Sequence, residues 1–334
     1  MQKLSSLLLA SFITVGIVAL ANESMAQTSG GASPPKTGTR LITLGTSGGP
    51  SATVGRAQSS NLLIVNGALY VIDAGPGVTR RLTRAGVRIR DIDTIFITHE
   101  HGDHTGGLAE LLSAEYDFNR TKPVNIYGPP GTQAVVKGAI QYLTASSEIR
   151  ISGGTKSVPI AQILFGHDMG TGAVYQDANV KVTAVENTHF HFPPGSPAYG
   201  KYKSYTYRFE ASDRVVVFTG DTGPSVAVTE LAKGADILVS EVDSVEENVT
   251  RQIKTGLWQL RTPDEQASFI RHDTEEHLSP DEVGKMAARA GVKTVVLSHI
   301  GPSTDPKDDF KRYGEQVKKY FSGPVLVAKD LMEF

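Results

Sequence analysis

From residue 40 onward the chain alternates short apolar runs with clusters of Gly, Ser, Pro and Asp. Residues 41–44 (Leu-Ile-Thr-Leu), 61–65 (Asn-Leu-Leu-Ile-Val) and 68–72 (Ala-Leu-Tyr-Val-Ile) have strand length and turn-rich borders, and they predict antiparallel strands. Further on, strand-like runs pair with helical periodicity: 94–97; 124–127 before a helix over 132–143; 215–219 before a helix over 225–232; and 294–297 after a helix over 279–290. Strand and helix in alternation predict a mixed α/β class. Two stretches break the rhythm. Residues 146–171 are polar and Gly-containing with weak β character, and 243–276 separate a strand from a helix by far more than a usual connection. Both are read as insertions that shape a pocket. No internal repeat, heptad or low-complexity tract stands out beyond the N-terminal region.

That region departs from the rest. Lys3 precedes an apolar stretch over 7–21, followed by the small-residue sites Ala19-Leu-Ala21 and Ser24-Met-Ala26, the order of a cleavable secretory signal. The run is shorter than the roughly 20 residues that span a bilayer, which favours cleavage over anchoring. Residues 1–26 are therefore expected to be a signal peptide, 27–39 a flexible lead-in rich in Gly, Ser, Pro and Thr, and 40–334 one domain, secreted or periplasmic with no stable membrane association after cleavage. The formal net charge is −2 with both signs interspersed, so no electrostatic footprint for nucleic acid is expected. The chain has no cysteine, which excludes disulfides and thiolate ligands and leaves stability to core burial and bound metal.

The candidate chemistry lies directly after the apolar run 94–97. Thr98-His-Glu-His-Gly-Asp-His-Thr-Gly-Gly107 places His99, His101, Asp103 and His104 within six residues. Neutral imidazoles suit zinc or iron, and a carboxylate adds a hard oxygen ligand. His99 and His101 point one way from an extended segment while Asp103 and His104 turn toward a second position, so one loop can serve two ions. Three more residues stand at strand ends: His189 after the alternating run 180–186, with His191 as its competitor; Asp221 in Thr219-Gly-Asp-Thr-Gly223; and His299 at the close of 294–299.

This pattern resembles the metallo-β-lactamase superfamily, whose signature is His-x-His-x-Asp-His. The resemblance implies a four-layer αβ/βα sandwich and a dinuclear site. His99, His101 and His189 would hold one zinc, Asp103, His104 and His299 the other, and Asp221 would bridge them, two Zn²⁺ per chain. Leu44-Gly-Thr-Ser-Gly-Gly-Pro50, Gly55-Arg-Ala-Gln-Ser-Ser-Asn61 and Ile72-Asp-Ala-Gly75 are similar to the opening of the ribonuclease Z-like branch. In that branch Asp73 would orient a ligand histidine. Ser240-Glu-Val242 and His277-Leu-Ser279 match its pairing of a strand-end glutamate with a histidine, so Glu241 would orient His277, which would give a proton to a leaving oxygen. Asp103, His277 and Glu241 are thus the residues expected to act in catalysis, Asp103 as ligand too. The resemblance covers most of 40–334. It extends to exported arylsulfatases and cyclic-nucleotide phosphodiesterases of this fold. The expected activity is therefore hydrolysis of sulfate or phosphate esters by a metal-activated water, on a small-molecule anionic ester and not on nucleic acid. A lactonase or β-lactamase is the alternative, and a non-catalytic zinc-binding module a further one; a homodimer is left open. Phe190, Phe192, Tyr199, Tyr202 and Trp258 serve either as an apolar wall for an aryl group or as packing.

Overall fold

A computed structural model describes residues 37–334 apart from Asn119, Pro302, Thr304 and Pro306. The expected signal segment 1–26, and all but the last three residues of the expected lead-in, lie outside the described residues. Thr39 already belongs to the first strand, its backbone N–H and hydroxyl both donating to the Asp213 carboxylate.

The strands that read as continuous apolar runs are buried on both faces, and alternate residues serve different layers. One sheet holds β1 (Thr39–Gly45), β2 (Ser60–Val65), β3 (Ala68–Ile72), β4 (Thr94–Phe96), β5 (Val124–Gly128) and β6 (Leu164–Asp168) in chain order. The other holds β7 (Gly172–Gln176), β8 (Val180–Glu186), β9 (Tyr205–Ala211), β10 (Val215–Phe218), β11 (Ile237–Val242), β12 (Thr294–Ile300) and β13 (Val325–Val327), also in order. The last strand, β14 (Met332–Glu333), pairs with β1 at the edge of the first sheet. In each sheet antiparallel pairings come first and three parallel ones follow, so the two halves share a plan that the residues alone do not reveal.

Between the sheets lie Leu63, Tyr70, Ile72, Phe96, Tyr207, Phe209, Val216 and Val296. Their neighbours Leu62, Ile64, Val71, Ile95 and Ile97 point the other way, onto the helices α1 (Val78–Arg84), α3 (Leu108–Asp117) and α4 (Thr132–Ser152); α2 (Gly102–Thr105) is a single turn within the histidine motif. On the far side Leu238, Val295 and Leu297 pack beneath α5 (Val226–Leu231), α8 (Pro280–Ala290) and α9 (Lys311–Val317). Helix, sheet, sheet, helix: the fold is the four-layer sandwich.

The two stretches read as insertions resolve differently. Residues 146–171 are the end of α4, a short 3₁₀ turn and the edge strand β6, part of the frame rather than an addition to it. Residues 243–276 do depart from the frame, as two helices, α6 (Val245–Lys254) and α7 (Pro263–Glu275), with Trp258 in a 3₁₀ turn between them. Asp243 and Asp273 both accept from the Asn248 side-chain amide, which ties the hairpin to the end of β11.

Candidate metal centre

In open α/β sheets, ligands collect beyond the carboxyl ends of the strands. Here that edge carries the histidine motif after β4, His189 after β8, Asp221 after β10, Glu241 in β11 and His299 in β12. The glycine loop joining β1 to β2 closes over it. Gly48 donates to the Ile300 carbonyl and Ile300 to that of Thr46, stitching the two sheets together at the site. A Cβ on Gly49 would lie 2.3 Å from the Asp103 carboxyl carbon, so this backbone approach requires glycine.

The seven candidate ligands form one cluster. Donor atoms of His99, His101 and His189 lie within 4.8 Å of one another, as do those of Asp103, His104, Asp221 and His299. His104 Nε2 is 3.3 Å from Asp221 Oδ1, and His299 Nε2 is 3.1 Å from Asp103 and 3.2 Å from Asp221 Oδ2. Tetrahedral donors about 2.0–2.1 Å from one ion lie about 3.3 Å apart, so these spacings suit a shared cation. Asp221 Oδ2 also stands 3.8 Å from His99 Nε2 and 3.9 Å from His189 Nε2, within reach of both sets. His191, the competitor of His189, is exposed on the rim with its Nδ1 4.0 Å from Glu276.

Orientation comes from behind. Asp73 is held in a left-handed conformation and accepts from the His104 Nδ1–H at 2.9 Å and from the Thr98 backbone N–H and hydroxyl. The same hydroxyl lies 3.2 Å from His99 Nδ1, and the Glu276 carbonyl takes the His189 Nδ1–H at 3.0 Å. Each of these histidines thereby turns Nε2 into the cluster. Thr98 and Glu276 escape a reading of the sequence, since nothing in their local pattern marks them; Asp73 does not.

The electrostatics fit a cation. His99 Nε2, His104 Nε2 and Asp221 Oδ1 are buried without a hydrogen-bond partner among the described residues. Burial and neighbouring imidazoles push His99 well below its ordinary pKa, and burial does the same to His189, leaving both as the neutral ligand form. Burial opposes charge on Asp221, but His299, His104 and His99 outweigh it and hold the carboxyl well below its usual range. His104 and His299 shift upward against burial because Asp221, Asp73 and Asp103 surround them. The carboxylates thus demand positive charge, which protons on two imidazoles or metal ions in their place can supply.

Glu241 and His277 meet as the sequence pairing suggests. His277 Nδ1 lies 3.0 Å from Glu241 Oε2, whose other oxygen takes the Thr222 N–H at 2.7 Å. Burial works against a charged imidazole, yet the Glu241 carboxylate raises His277 well above its ordinary pKa. Far apart in sequence, the pair is not far from the ligands. The His277 ring is 5.0 Å from that of His189, and its donor atom falls within 4.8 Å of those of His189 and Asp221.

Residues 69–300 match the family model described as the beta-lactamase superfamily domain. The chain belongs to this superfamily. It is a hydrolase of the metallo-β-lactamase fold. Among curated relatives, Ribonuclease Z of Mycobacterium bovis is 28% identical over 295 residues, covering 87% of this chain and 96% of the relative. Among solved structures, the metallo-beta-lactamase fold protein YhfI from Bacillus subtilis aligns at TM-score 0.64 and 18% identity, covering 89% of this chain and 98% of that one. Human tRNase Z, short form, aligns at 0.58 and 20%, covering 88% and 98%. These relatives overturn one expectation. The near-neutral charge reads as excluding nucleic acid, yet the curated relatives that match nearly end to end are ribonucleases. Net charge averages over the whole surface, whereas a phosphodiester is met locally by a cationic centre.

Proposed function

We propose that the chain is a dinuclear zinc hydrolase of mono-anionic esters, acting first on phosphodiesters, RNA among them. The observation that carries this reading is the His277–Glu241 pair standing beside a seven-donor cluster, because a centre built only to hold zinc for structure has four closed ligands and no need of a proton donor at its edge. His99, His101 and His189 would hold one ion and Asp103, His104 and His299 the other, with Asp221 reaching both. When bound, such a pair of ions neutralises developing charge on the ester and makes water nucleophilic near neutral pH.

The rest falls to the chain. Asp73, Thr98 and the Glu276 carbonyl fix the ligand imidazoles, and Glu241 holds His277 protonated with Nε2 turned to the cluster. His277 then gives its proton to the departing alcohol oxygen. Likeness to ribonucleases supports the phosphodiester. The stacked rings of Phe190 and Phe192, 4.9 Å apart beside the histidines, favour an aryl sulfate as the second reading. A panel of bis-nitrophenyl phosphate, a short RNA, nitrophenyl sulfate, a homoserine lactone and nitrocefin tests it. Zinc-dependent turnover of the first two is the expected result, and turnover of lactone or nitrocefin alone would refute it. Export through residues 1–26 is part of the proposal and rests on their charged, apolar and small-residue order. Sequencing the N-terminus of the accumulated protein checks it: a start near Asn22 or Gln27 is expected, and Met1 retained on the cytoplasmic protein would contradict it.

A further inference from the structure

The α6–α7 hairpin delivers a histidine to the site that no ligand set uses. His272, on the last turn of α7, has its ring 5.1 Å from that of His277 and 5.9 Å from that of His189. Its Nδ1 lies 2.8 Å from Glu276 Oε2 and donates there, while Nε2 has no partner among the described residues. Glu276 therefore does two things at once. Its carbonyl orients the ligand His189 and its carboxylate orients His272, so the rim imidazole is set in register with the centre. Both His272 and Glu276 are only half-buried. Phe190 lies against the same ligand rings, 4.9 Å from that of His189 and 5.2 Å from that of His101, with Phe192 stacked on it.

An aromatic face and a fixed polar ring nitrogen, both neighbours of His189, match a ligand with a flat base and a hydroxyl-bearing sugar. We propose that His272, positioned by Glu276, is a specificity residue that contacts the sugar of a nucleotide substrate through Nε2, and that the α6–α7 hairpin exists to bring it there. The inference deepens the phosphodiesterase reading and rests on it for the reaction, but not for binding. A flat aryl ester offers nothing to His272; a nucleoside ester does.

Titration calorimetry of the zinc-loaded protein with adenosine monophosphate and with inorganic phosphate, for wild type, His272→Ala, Glu276→Ala and Glu276→Gln, is the test. Loss of one hydrogen bond weakens nucleotide binding by about tenfold. Phosphate binding and zinc content should be unchanged in His272→Ala. Glu276→Ala should repeat that loss, and Glu276→Gln, which keeps an acceptor oxygen, should recover most of it. Equal nucleotide affinity in wild type and His272→Ala, equal weakening of both ligands, loss of zinc, or no nucleotide binding by wild type would each overturn the proposal. A preserved contrast in binding with no diester turnover would refute the activity and leave this inference standing.

Discussion

At the scale of single residues, Asp221 carries the most weight, since among the described residues it is the one carboxylate within 4 Å of donors from both candidate ligand sets. Asp221→Ala should abolish turnover and cut zinc affinity by more than the 10–100-fold that losing an outer partner costs. Metal analysis beside an ester assay checks it, and wild-type values in both would leave Asp221 a turn residue. Asp73→Asn touches no metal and should fall within that 10–100-fold window, read from a competitive chelator titration. His277→Ala should keep its zinc and lose about 10²–10⁴-fold in rate, more for an alkyl leaving group than for nitrophenolate, which departs without a proton. Equal losses for both esters would reduce His277 to positioning. The clustering of the candidate ligands was legible because a strand-end motif with three histidines and an aspartate leaves few other readings. Thr98, Glu276 and His272 were not, because what places each of them at the site is a contact with a residue distant in sequence, Asp73 for Thr98 and His189 for Glu276 and His272.

At the scale of elements, the inner parallel strands β4, β10 and β12 were legible because burial on both faces writes them as unbroken apolar runs, as in Val295–Leu297. The edge strand β6, with Gly166 and a half-exposed face, lacks that signal and reads only as weak β character within an insertion. The alternation of Tyr205, Tyr207 and Phe209 in β9, and the Thr262-to-Glu265 capping box that opens α7, are signals the sequence does contain but that the longer apolar runs overshadow. The turn between β7 and β8 shows how the layers are clamped. Asp177 accepts from the Tyr70 hydroxyl of β3 at 2.6 Å, from Tyr175, and from the backbone of Asn179 and Val180. Burial opposes its ionisation, but the Tyr70 hydroxyl and the two backbone N–H groups lower its pKa. Because the folded value lies below the unfolded one, its contribution is complete above the ordinary aspartate range and is lost as pH falls through the lowered value. Because Asp177 is exposed and its bonds are screened by solvent, Asp177→Asn should cost no more than about 1 kcal/mol at pH 7, and thermal unfolding from about pH 7 down to about pH 2 should show the gap to wild type closing toward the acid end. A gap that widens in acid would contradict this.

At the scale of the molecule, two sheets of like plan meet so that the carboxyl ends of β4, β8, β10 and β12 share one edge, and residues from 73 to 299 converge there. The α/β class was legible from periodicity, and the sandwich only from the resemblance carried by the motif. Substrate was the least legible feature, since the rim residues proposed to recognise it meet only through the whole fold. The central claim is that this edge holds two zinc ions that make the protein a phosphodiesterase. Stripping the purified protein of metal and returning zinc in steps while following bis-nitrophenyl phosphate hydrolysis tests it most directly. Activity should be absent at the start, rise with added zinc and level off at two ions per chain. Full activity at one ion, or activity that survives complete removal, would contradict the account.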